Sequence, residues 1–328
     1  MNIAVLGAGA WGTALAISLA ARHRVTLWTR NAEHLAELTS LRVNQRYLPG
    51  HSLPDSIHPT TVLSEALEGV ELVFVVVPVA GLRATLQQIA GLNQSLPLVL
   101  ACKGFEVDSA NLPCQVVEEV CPYTPCGVLS GPSFAQEVAM GLPTALTLAS
   151  RDDVFARHMA NEIRSQNLRV YSGNDVIGVE VGGALKNVIA IAAGISDGIG
   201  FGNNARAALI TRGLAEITRL GMALGGCRET FTGLTGIGDL ILTCTGNLSR
   251  NRQVGMMLAG GRQLTEILPE IGHVTEGVYT VREAHGLGQA LQIDMPVTQA
   301  VYSILYEKIS VRNAIRDMLD REPGVETS

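Results

Sequence analysis

Charged residues are scarce in this sequence. Only 16% of its 328 residues are Asp, Glu, Lys or Arg, the formal net charge is −6, and Lys and Arg never form a run longer than two. Nucleic acids and anionic membranes are bound through clustered cations. We therefore expect neither as a partner, although a few local cations would still bind a small anionic substrate.

Long apolar runs are also missing. Residues 72–79 and 188–195 form apolar runs of eight residues each, whereas a membrane-spanning helix needs about 20. The apolar N-terminal segment lacks a basic region, and Gly7, Gly9 and Gly12 interrupt it early, which is unlike a signal peptide. We expect a soluble protein.

The six cysteines are spaced neither for zinc nor for a disulfide framework. No two are three residues apart, and no histidine lies near them at metal-ligand spacing, so no metal site is expected. We interpret them as reduced, mostly buried thiols of a cytoplasmic protein. Disulfides from Cys121 to Cys114 or to Cys126 fit the spacing, but nothing favours them.

Apolar residues and glycine are plentiful. The chain is 47% hydrophobic and contains 35 glycines, which suits an α/β protein with many tight turns. The length predicts two domains of about 150 residues each.

A glycine-rich turn stands near the start of the chain, at Gly7-Ala-Gly-Ala-Trp-Gly12. A predicted strand precedes it, and a helix and a second strand follow within thirty residues. In that context Gly7 permits the tight turn, Gly9 lets the backbone touch a pyrophosphate, and Gly12 lets the helix pack against the strand. The motif predicts a dinucleotide site rather than a merely structural turn.

The residues after the second strand bear on the choice of cofactor. NAD-selective sites place a carboxylate there for the ribose 2′-hydroxyl. No carboxylate occurs before Glu33, and Arg30 offers a guanidinium that suits a 2′-phosphate. We expect NADP(H) to be preferred and NAD(H) to be accepted as well; the alternative is that Arg30 is a solvated loop cation.

Two later strands run into residues that suit a ligand. The strand at residues 98–101 leads to Lys103, and the strand at residues 126–129 leads to Ser130-Gly-Pro-Ser133. Ligands bind at the carboxyl ends of parallel strands. Lys103 is therefore a candidate contact, which we favour over an ordinary loop lysine. Ser133 is a candidate contact as well, although a simple helix cap explains it equally well.

The pattern changes from strands to helices near residue 175. We predict about eight strands before that point and only helices after it, and we place a dinucleotide-binding domain at residues 1–175 and a helical domain at residues 176–328. Residues 44–59, rich in proline, predict a loop with little regular structure. Residues 196–202, rich in glycine, predict a tight crossing over the site.

A buried helix at residues 182–194 carries Lys186 and Asn187 in its middle. A buried lysine without a partner or reactant is costly, and a lysine with a shifted pKa is a natural proton donor. We interpret Lys186 as the donor to a carbonyl oxygen; the alternative is a lysine that snorkels out of the core. Gly182 and Gly183, one turn earlier, would let a ligand or another segment come close.

Asp239 is a single carboxylate in an otherwise apolar segment, and it shares a helix face with Thr243. A buried Asp requires a cation or donors. Lys186 is the candidate partner, and the alternative is that Asp239 caps its helix.

Ser249-Arg250-Asn251-Arg252 begins a later helix, with Ser249 as the cap. An arginine, an amide and free backbone N–H groups at a helix start predict a phosphate site. This phosphate belongs to the substrate, unless one arginine reaches the cofactor instead.

Seven segments together resemble, in order and over nearly the whole chain, the motif set of the bacterial NAD(P)-dependent glycerol-3-phosphate dehydrogenases. They are Gly7-Ala-Gly-Ala-Trp-Gly12, Cys102-Lys-Gly104, Ser130-Gly-Pro-Ser-Phe-Ala135, Gly183-Ala-Leu-Lys-Asn-Val188, Ser196-Asp-Gly-Ile-Gly-Phe-Gly202, Gly238-Asp-Leu240 and Ser249-Arg-Asn-Arg252.

The resemblance implies a fold like that of 6-phosphogluconate dehydrogenase: a Rossmann-type doubly wound, mostly parallel sheet followed by an all-α C-terminal domain. It implies a cytoplasmic enzyme, often a homodimer, that interconverts dihydroxyacetone phosphate and sn-glycerol 3-phosphate for glycerophospholipid synthesis.

By position, the resemblance implies that Lys186 is the general acid/base, and we expect Asp239 to orient and tune it. The implied substrate contacts are Lys103, Gly131, Ser133, Lys186, Asn187, Asp239, Thr243, Ser249, Arg250 and Asn251. Besides the three glycines of the first turn, the implied cofactor contacts are Ala10, Trp11, Arg30, Lys103, Ala135, Arg250, Val274 and Glu276. Ala10 stands where a hydroxyl residue is frequent, so one phosphate contact has to come from backbone alone.

Two other functions remain open. One is a reductase of the same architecture that acts on a small oxo- or hydroxy-acid. The other is a non-catalytic NADP-binding sensor, which would need no ionisable groups in the cleft.

Overall fold

The computed structural model describes residues 1–92, 95–272 and 275–319. Apolar, β-branched runs of the N-terminal half form ten strands: β1 (Asn2–Leu6), β2 (Arg24–Trp28), β3 (Val43–Asn44), β4 (Leu48–Ser52), β5 (Ile57–Thr60), β6 (Leu72–Val75), β7 (Leu98–Leu100), β8 (Cys126–Ser130), β9 (Thr144–Ala149) and β10 (Leu168–Gly173).

Seven helices lie between these strands: α1 (Ala10–Leu19), α2 (Ala32–Leu41), α3 (Leu63–Ala66), α4 (Leu82–Gly91), α5 (Pro113–Val120), α6 (Ala135–Ala139) and α7 (Asp153–Ile163). Within residues 174–272 and 275–319, nine more follow β10: α8 (Val176–Gly198), α9 (Gly202–Ala223), α10 (Arg228–Phe231), α11 (Asp239–Thr245), α12 (Arg250–Ala259), α13 (Leu264–Ile271), α14 (Glu276–Ala290), α15 (Pro296–Leu305) and α16 (Val311–Leu319).

Eight of the strands form one sheet in the order β10-β9-β8-β7-β6-β1-β2-β5. Every neighbouring pair is parallel except β8 and β9, which are antiparallel. The carboxyl ends of β2, β1, β6, β7 and β8 therefore lie along one edge, which we call the ligand edge. The predicted fold class, a mostly parallel doubly wound sheet followed by helices, is confirmed.

Helix α8 forms the core of the helical half. Twenty of its 23 residues are buried, and Asp175 caps it by accepting a hydrogen bond from Gly178 N at 2.8 Å. Of the described helices, α8 alone has the length and hydropathy to cross a membrane, but 94% of its most apolar 18-residue window is buried inside the protein. Such burial is typical of a core helix.

Glycines bring α12 unusually close to α8. A Cβ added to Gly194 would lie 2.0 Å from Arg252 O, and a Cβ added to Gly255 would lie 2.0 Å from Ile191 O. The two helices therefore touch through their backbones, which fixes where α12 begins.

Two local predictions are wrong. Residues 44–59 are not a plain loop, because they contain the antiparallel hairpin β3–β4 and the parallel edge strand β5. Helix α8 does not end after Ile195 but continues to Gly198, about 18 Å along the helix from Lys186. Gly198 packs against α12, whereas Gly200 and Gly202, at φ +83° and +80°, lie where the chain turns into α9; the segment does not cross over Lys186.

The division into residues 1–175 and 176–328 stays a prediction. In the structure, the change from strands to helices falls between β10, which ends at Gly173, and α8, which begins at Val176.

The glycine contact between α8 and α12 can be tested with Gly194→Ala. The new methyl group would meet backbone that cannot swing away, so we expect the free energy of unfolding, measured by urea denaturation, to fall by about 1–3 kcal/mol. Gly286→Ala is the matched control, because Gly286 is exposed within α14 and a Cβ there meets nothing within 4 Å. That variant should gain about 0.5–1 kcal/mol, and equal changes in both variants would contradict the packing argument.

Candidate active site

One buried carboxylate joins two lysines. Lys186 Nζ donates a short hydrogen bond to Asp239 Oδ1, and Lys103 Nζ donates to Asp239 Oδ2 at 2.7 Å. Asp239 is 1% exposed and Lys186 is 9% exposed. The predicted pairing of Asp239 with Lys186 is confirmed, whereas the sequence analysis did not foresee Lys103 on the same carboxylate.

Three separate elements bring these groups together. Lys186 lies in the middle of α8, and Lys103 follows β7 at the ligand edge. Asp239 is the first residue of α11, directly after a turn of π-helix at Leu234–Gly238, and it makes no capping hydrogen bond. The capping alternative for Asp239 is therefore wrong. π-Helical turns often occur at functional sites.

Burial and the neighbouring charges both shift the pKa values of Lys186 and Asp239. Burial lowers the pKa of Lys186 to about 7; the Lys103 charge contributes in the same direction, and Asp239 opposes it. Burial by itself would raise the pKa of Asp239, but the charges of Lys103 and Lys186 outweigh it, and the net pKa is lowered. Asp239 is therefore ionised near neutral pH, while Lys186 can gain or lose a proton there.

The neighbouring polar residues hold the cluster in place. Thr243 Oγ1 donates to Asp239 O at 2.6 Å. Asn187 Oδ1 accepts a hydrogen bond from Asn251 Nδ2 at 2.9 Å, and Asn251 Oδ1 accepts one from Gly277 N at 3.2 Å. Asn187 and Asn251 thus link α8 and α12 beside Lys186.

Gly277 is a residue of this site that the sequence analysis missed. A Cβ there would lie 2.6 Å from Asn251 Oδ1 and 2.8 Å from Asn187 O. A glycine in the first turn of a predicted helix was the available signal, since glycine is unfavourable there without a packing reason.

The start of α12 is partly free. Ser249 caps the helix by accepting from Arg252 N at 3.3 Å, as its position predicts. Arg250, the first helical residue, is exposed and makes no hydrogen bond or ion pair with the residues that the structure describes. A free guanidinium at a helix N-terminus suits an anion.

The loop after β8 brings bare backbone to the ligand edge. Gly131 has φ +138°, and a Cβ there would lie 3.1 Å from Ala145 O, so glycine is required. Ser133 Oγ donates to Gly131 O at 3.0 Å. Helix α6 follows this loop and begins at Ala135.

The glycine-rich turn fits a dinucleotide. A Cβ on Gly7, at φ +123°, would lie 2.8 Å from backbone of Val76, and one on Gly12 would lie 1.9 Å from Gly7 O. A Cβ on Gly9 would meet nothing within 4 Å, and α1 has no side-chain cap, so its first N–H groups are open. Ala10 opens this helix without a side-chain donor. The indole Nε1 of Trp11 is buried without a hydrogen-bond partner among the described residues.

Arg30 lies two residues after the end of β2, on the ligand edge. Its side chain is exposed, and within residues 1–92, 95–272 and 275–319 it has no hydrogen bond or ion pair. This free cation is where the ribose of a dinucleotide bound at the first turn would lie.

Glu276 lies between the two halves. Burial raises its pKa to about 7, opposed by a hydrogen bond from Val79 N–H and by the charge of Arg250. Its Oε2 is 3.5 Å from a Cβ placed on Gly104, next to Lys103. Val274, the other cofactor contact predicted here, lies outside the described residues.

Comparison with known proteins identifies relatives over nearly the whole chain. Models of the NAD-dependent glycerol-3-phosphate dehydrogenase N-terminus and C-terminus match residues 2–156 and 175–316. The glycerol-3-phosphate dehydrogenase [NAD(P)+] of Nitrosomonas europaea is 84% identical over 100% of both chains, and that of Nitrosospira multiformis is 60% identical over 99% of both.

The fold of this chain also matches that of a solved structure. The crystal structure of glycerol-3-phosphate dehydrogenase from Coxiella burnetii superposes with a TM-score of 0.95 and 42% identity, covering 98% of this chain and 99% of that one. The chain belongs to the NAD-dependent glycerol-3-phosphate dehydrogenase family.

Proposed function

We propose that this protein catalyses the reversible, NAD(P)H-dependent reduction of dihydroxyacetone phosphate to sn-glycerol 3-phosphate, which supplies glycerophospholipid synthesis. The observation that carries the proposal is the Lys103–Asp239–Lys186 cluster. The free cation Arg250 precedes Asn251, whose side chain bonds Asn187 beside Lys186. A ketone that carries a phosphate needs a proton donor and an anion site, and these residues offer both.

Lys186 acts as the general acid in the reduction. A bound nicotinamide cofactor supplies the hydride, and the chain itself has to protonate the carbonyl oxygen that becomes the hydroxyl. Lys186 Nζ is held by Asp239 Oδ1 in a buried position, and its lowered pKa lets it release a proton near neutrality. In the reverse reaction the neutral amine accepts that proton.

The phosphate and the carbonyl are held by different elements. Arg250, Asn251 and the N–H groups at the start of α12 hold the phosphate, and Lys103 and Asn187 lie beside the reacting end. Thr243 bonds the backbone of Asp239, and Ser249 caps α12, so both help to hold the residues that face the substrate. Gly131 and Ser133 line the substrate from the ligand edge.

Residues along the ligand edge, from the first turn to the loop after β7, would hold the cofactor. The glycines, Ala10 and Trp11 of the first turn hold the pyrophosphate. Arg30 holds a 2′-phosphate, which is the basis for expecting NADP(H) to be preferred while NAD(H) is used as well. Lys103, Ala135, Arg250 and Glu276 would contact the cofactor as well. Val274, outside the described residues, stays a predicted cofactor contact.

Two alternatives are less well supported. A reductase of small oxo-acids is not favoured, because the family matches span both halves of the chain. A non-catalytic sensor would not need to bury two lysines around one carboxylate.

We also propose that the chain forms a cytoplasmic homodimer, without nucleic-acid or membrane partners. All six cysteines are free, as is common in a reducing compartment. Large apolar side chains are exposed on the helical half, where a second copy would cover them: Phe201, Ile241, Leu248 and Met256.

Turnover of dihydroxyacetone phosphate by wild type and by Lys186→Ala tests the reaction and its acid. Wild type should oxidise NADPH with this substrate, and the variant should lose at least ~10²-fold in kcat because general acid help is worth ~10²–10⁴-fold. NADPH affinity, measured by calorimetry, should stay nearly intact.

Lys308→Ala is the matched control, because Lys308 is exposed after α15. A kcat for Lys186→Ala near that of the control would overturn the assignment of Lys186. Faster NADPH oxidation with small oxo-acids than with dihydroxyacetone phosphate would overturn the substrate.

The pH dependence of kcat tests the role of Asp239. Reduction requires protonated Lys186, so kcat for reduction should fall as pH rises above the lysine pKa of about 7. The Asp239 carboxylate favours the ammonium form, so Asp239→Asn should lower this pKa and move the fall in kcat to lower pH. Profiles measured across the neutral range would refute the role if the fall stayed in place or moved to higher pH.

Arg30→Asp tests cofactor selection. Losing a charge-assisted contact to the 2′-phosphate should raise the KM for NADPH by roughly 10- to 100-fold, with little effect on the KM for NADH. Arg24→Asp is the matched control, since Arg24 is exposed at the opposite end of the same strand. An unchanged KM for NADPH in Arg30→Asp would contradict the assignment of Arg30 to the 2′-phosphate.

A further inference from the structure

Asn44 lies in the segment that the sequence predicts to be a loop with little regular structure. In the structure it is completely buried, and both polar atoms of its side chain form hydrogen bonds. It is 0% exposed. Its Nδ2 donates to Ala8 O at 2.9 Å and to Thr13 Oγ1 at 2.7 Å. Its Oδ1 accepts from His34 Nε2 at 3.0 Å and from Tyr47 N at 3.1 Å.

His34 extends this chain of hydrogen bonds to the turn after β2. Because His34 Nε2 donates to Asn44, its Nδ1 is the acceptor, and the Thr29 hydroxyl donates to it at 3.2 Å. Thr29 Oγ1 in turn accepts from Asn31 N at 3.4 Å. Thr29 and Asn31 are the two neighbours of Arg30.

The chain of hydrogen bonds therefore joins the two segments that contact opposite parts of the cofactor. Ala8 and Thr13 flank the open N–H groups of the glycine-rich turn, and Thr29 and Asn31 flank the free guanidinium of Arg30. Asn44 itself has no polar atom left for a ligand, so it can act only through these segments.

We propose that Asn44 is a positioning residue for the dinucleotide. Its amide sets the spacing between the N–H groups that receive the pyrophosphate and the guanidinium that receives the 2′-phosphate. A site held ready in this way loses less conformational freedom on binding. The inference rests on the cofactor part of the proposed function and adds a residue that touches neither cofactor nor substrate.

Asn44→Asp tests the proposal, because it keeps the shape and both acceptor contacts but places an oxygen against Ala8 O, where no hydrogen bond can form. The Thr13 hydroxyl keeps its contact only by turning to donate. We expect the Kd for NADPH, measured by calorimetry without substrate, to rise roughly tenfold or more. The Kd for NADH should rise less, since NADH does not use Arg30. At saturating NADPH, kcat and the KM for dihydroxyacetone phosphate should stay within about threefold, because a positioning residue for the cofactor leaves the Lys186 cluster intact.

Thr13 provides a second pair of variants should Asn44→Asp fail to fold. Thr13→Val removes the hydroxyl that receives Asn44 Nδ2 and nearly keeps the shape, so it should weaken NADPH binding. Thr13→Ser keeps the hydroxyl and should restore the affinity. Thr298→Val is the control: Thr298 is also 0% exposed, and its hydroxyl donates to Glu216 Oε2 at 2.8 Å, within the helical half. It should lower the melting temperature without changing the Kd.

Three results separate the explanations. A lower melting temperature with an unchanged Kd for NADPH would overturn the proposal and leave Asn44 a purely structural residue. An unchanged Kd with a raised KM for dihydroxyacetone phosphate would also overturn it. If wild type bound NADPH but did not turn over dihydroxyacetone phosphate, and the Asn44 and Thr13 variants weakened that binding, the proposed reaction would fail while this inference stood.

Discussion

The Asp239 carboxylate, buried between two ammonium groups, is the constraint on which the rest of the site depends. Removing a charge from water costs several kcal/mol, and breaking a buried ion pair by losing one partner costs about 3–5 kcal/mol. The loop after β7, the middle of α8 and the start of α11 must therefore meet in one geometry. Two of the three lysines in the sequence are used here. The same burial lowers the pKa of Lys186 towards neutrality, so one arrangement both fixes the site and tunes the residue that we propose as the proton donor.

Glycine residues in α8 allow the elements that carry these three groups to pack closely enough for them to meet. A Cβ on Gly182 would lie 2.7 Å from Thr235 O, in the π-helical turn that leads to Asp239, and one on Gly183 would lie 3.0 Å from Ser130 Oγ on β8. Helix α8 can therefore press against both elements and bring Lys186 to the carboxylate. Gly194 and Gly255 do the same for α12, which carries Arg250. Much of the glycine in this chain serves close packing rather than turns.

The sheet and the helices contribute different parts of the candidate site. The ligand edge collects the glycine-rich turn, Arg30, Lys103 and Gly131 because five neighbouring strands end on the same side. Under the proposed function, the helices provide the acid, Lys186, and the phosphate-binding cation, Arg250. The buried chain of hydrogen bonds through Asn44 belongs to the sheet side, and it shows that loops far apart in sequence are held to each other and not only to the strands.

Much of the fold and of the candidate site can be predicted from the sequence alone, because these features depend on residue patterns within short segments. The strand–glycine–helix context of Gly7 predicts the dinucleotide turn, the apolar period around Lys186 predicts a buried helix, and a lone carboxylate in an apolar segment predicts a partner for Asp239. Tertiary structure alone decided that Lys103 shares that carboxylate, that Asn44 lies in the core, and that residues 196–198 continue a helix. Those outcomes depend on contacts between segments distant in the chain, and no local periodicity or composition encodes them.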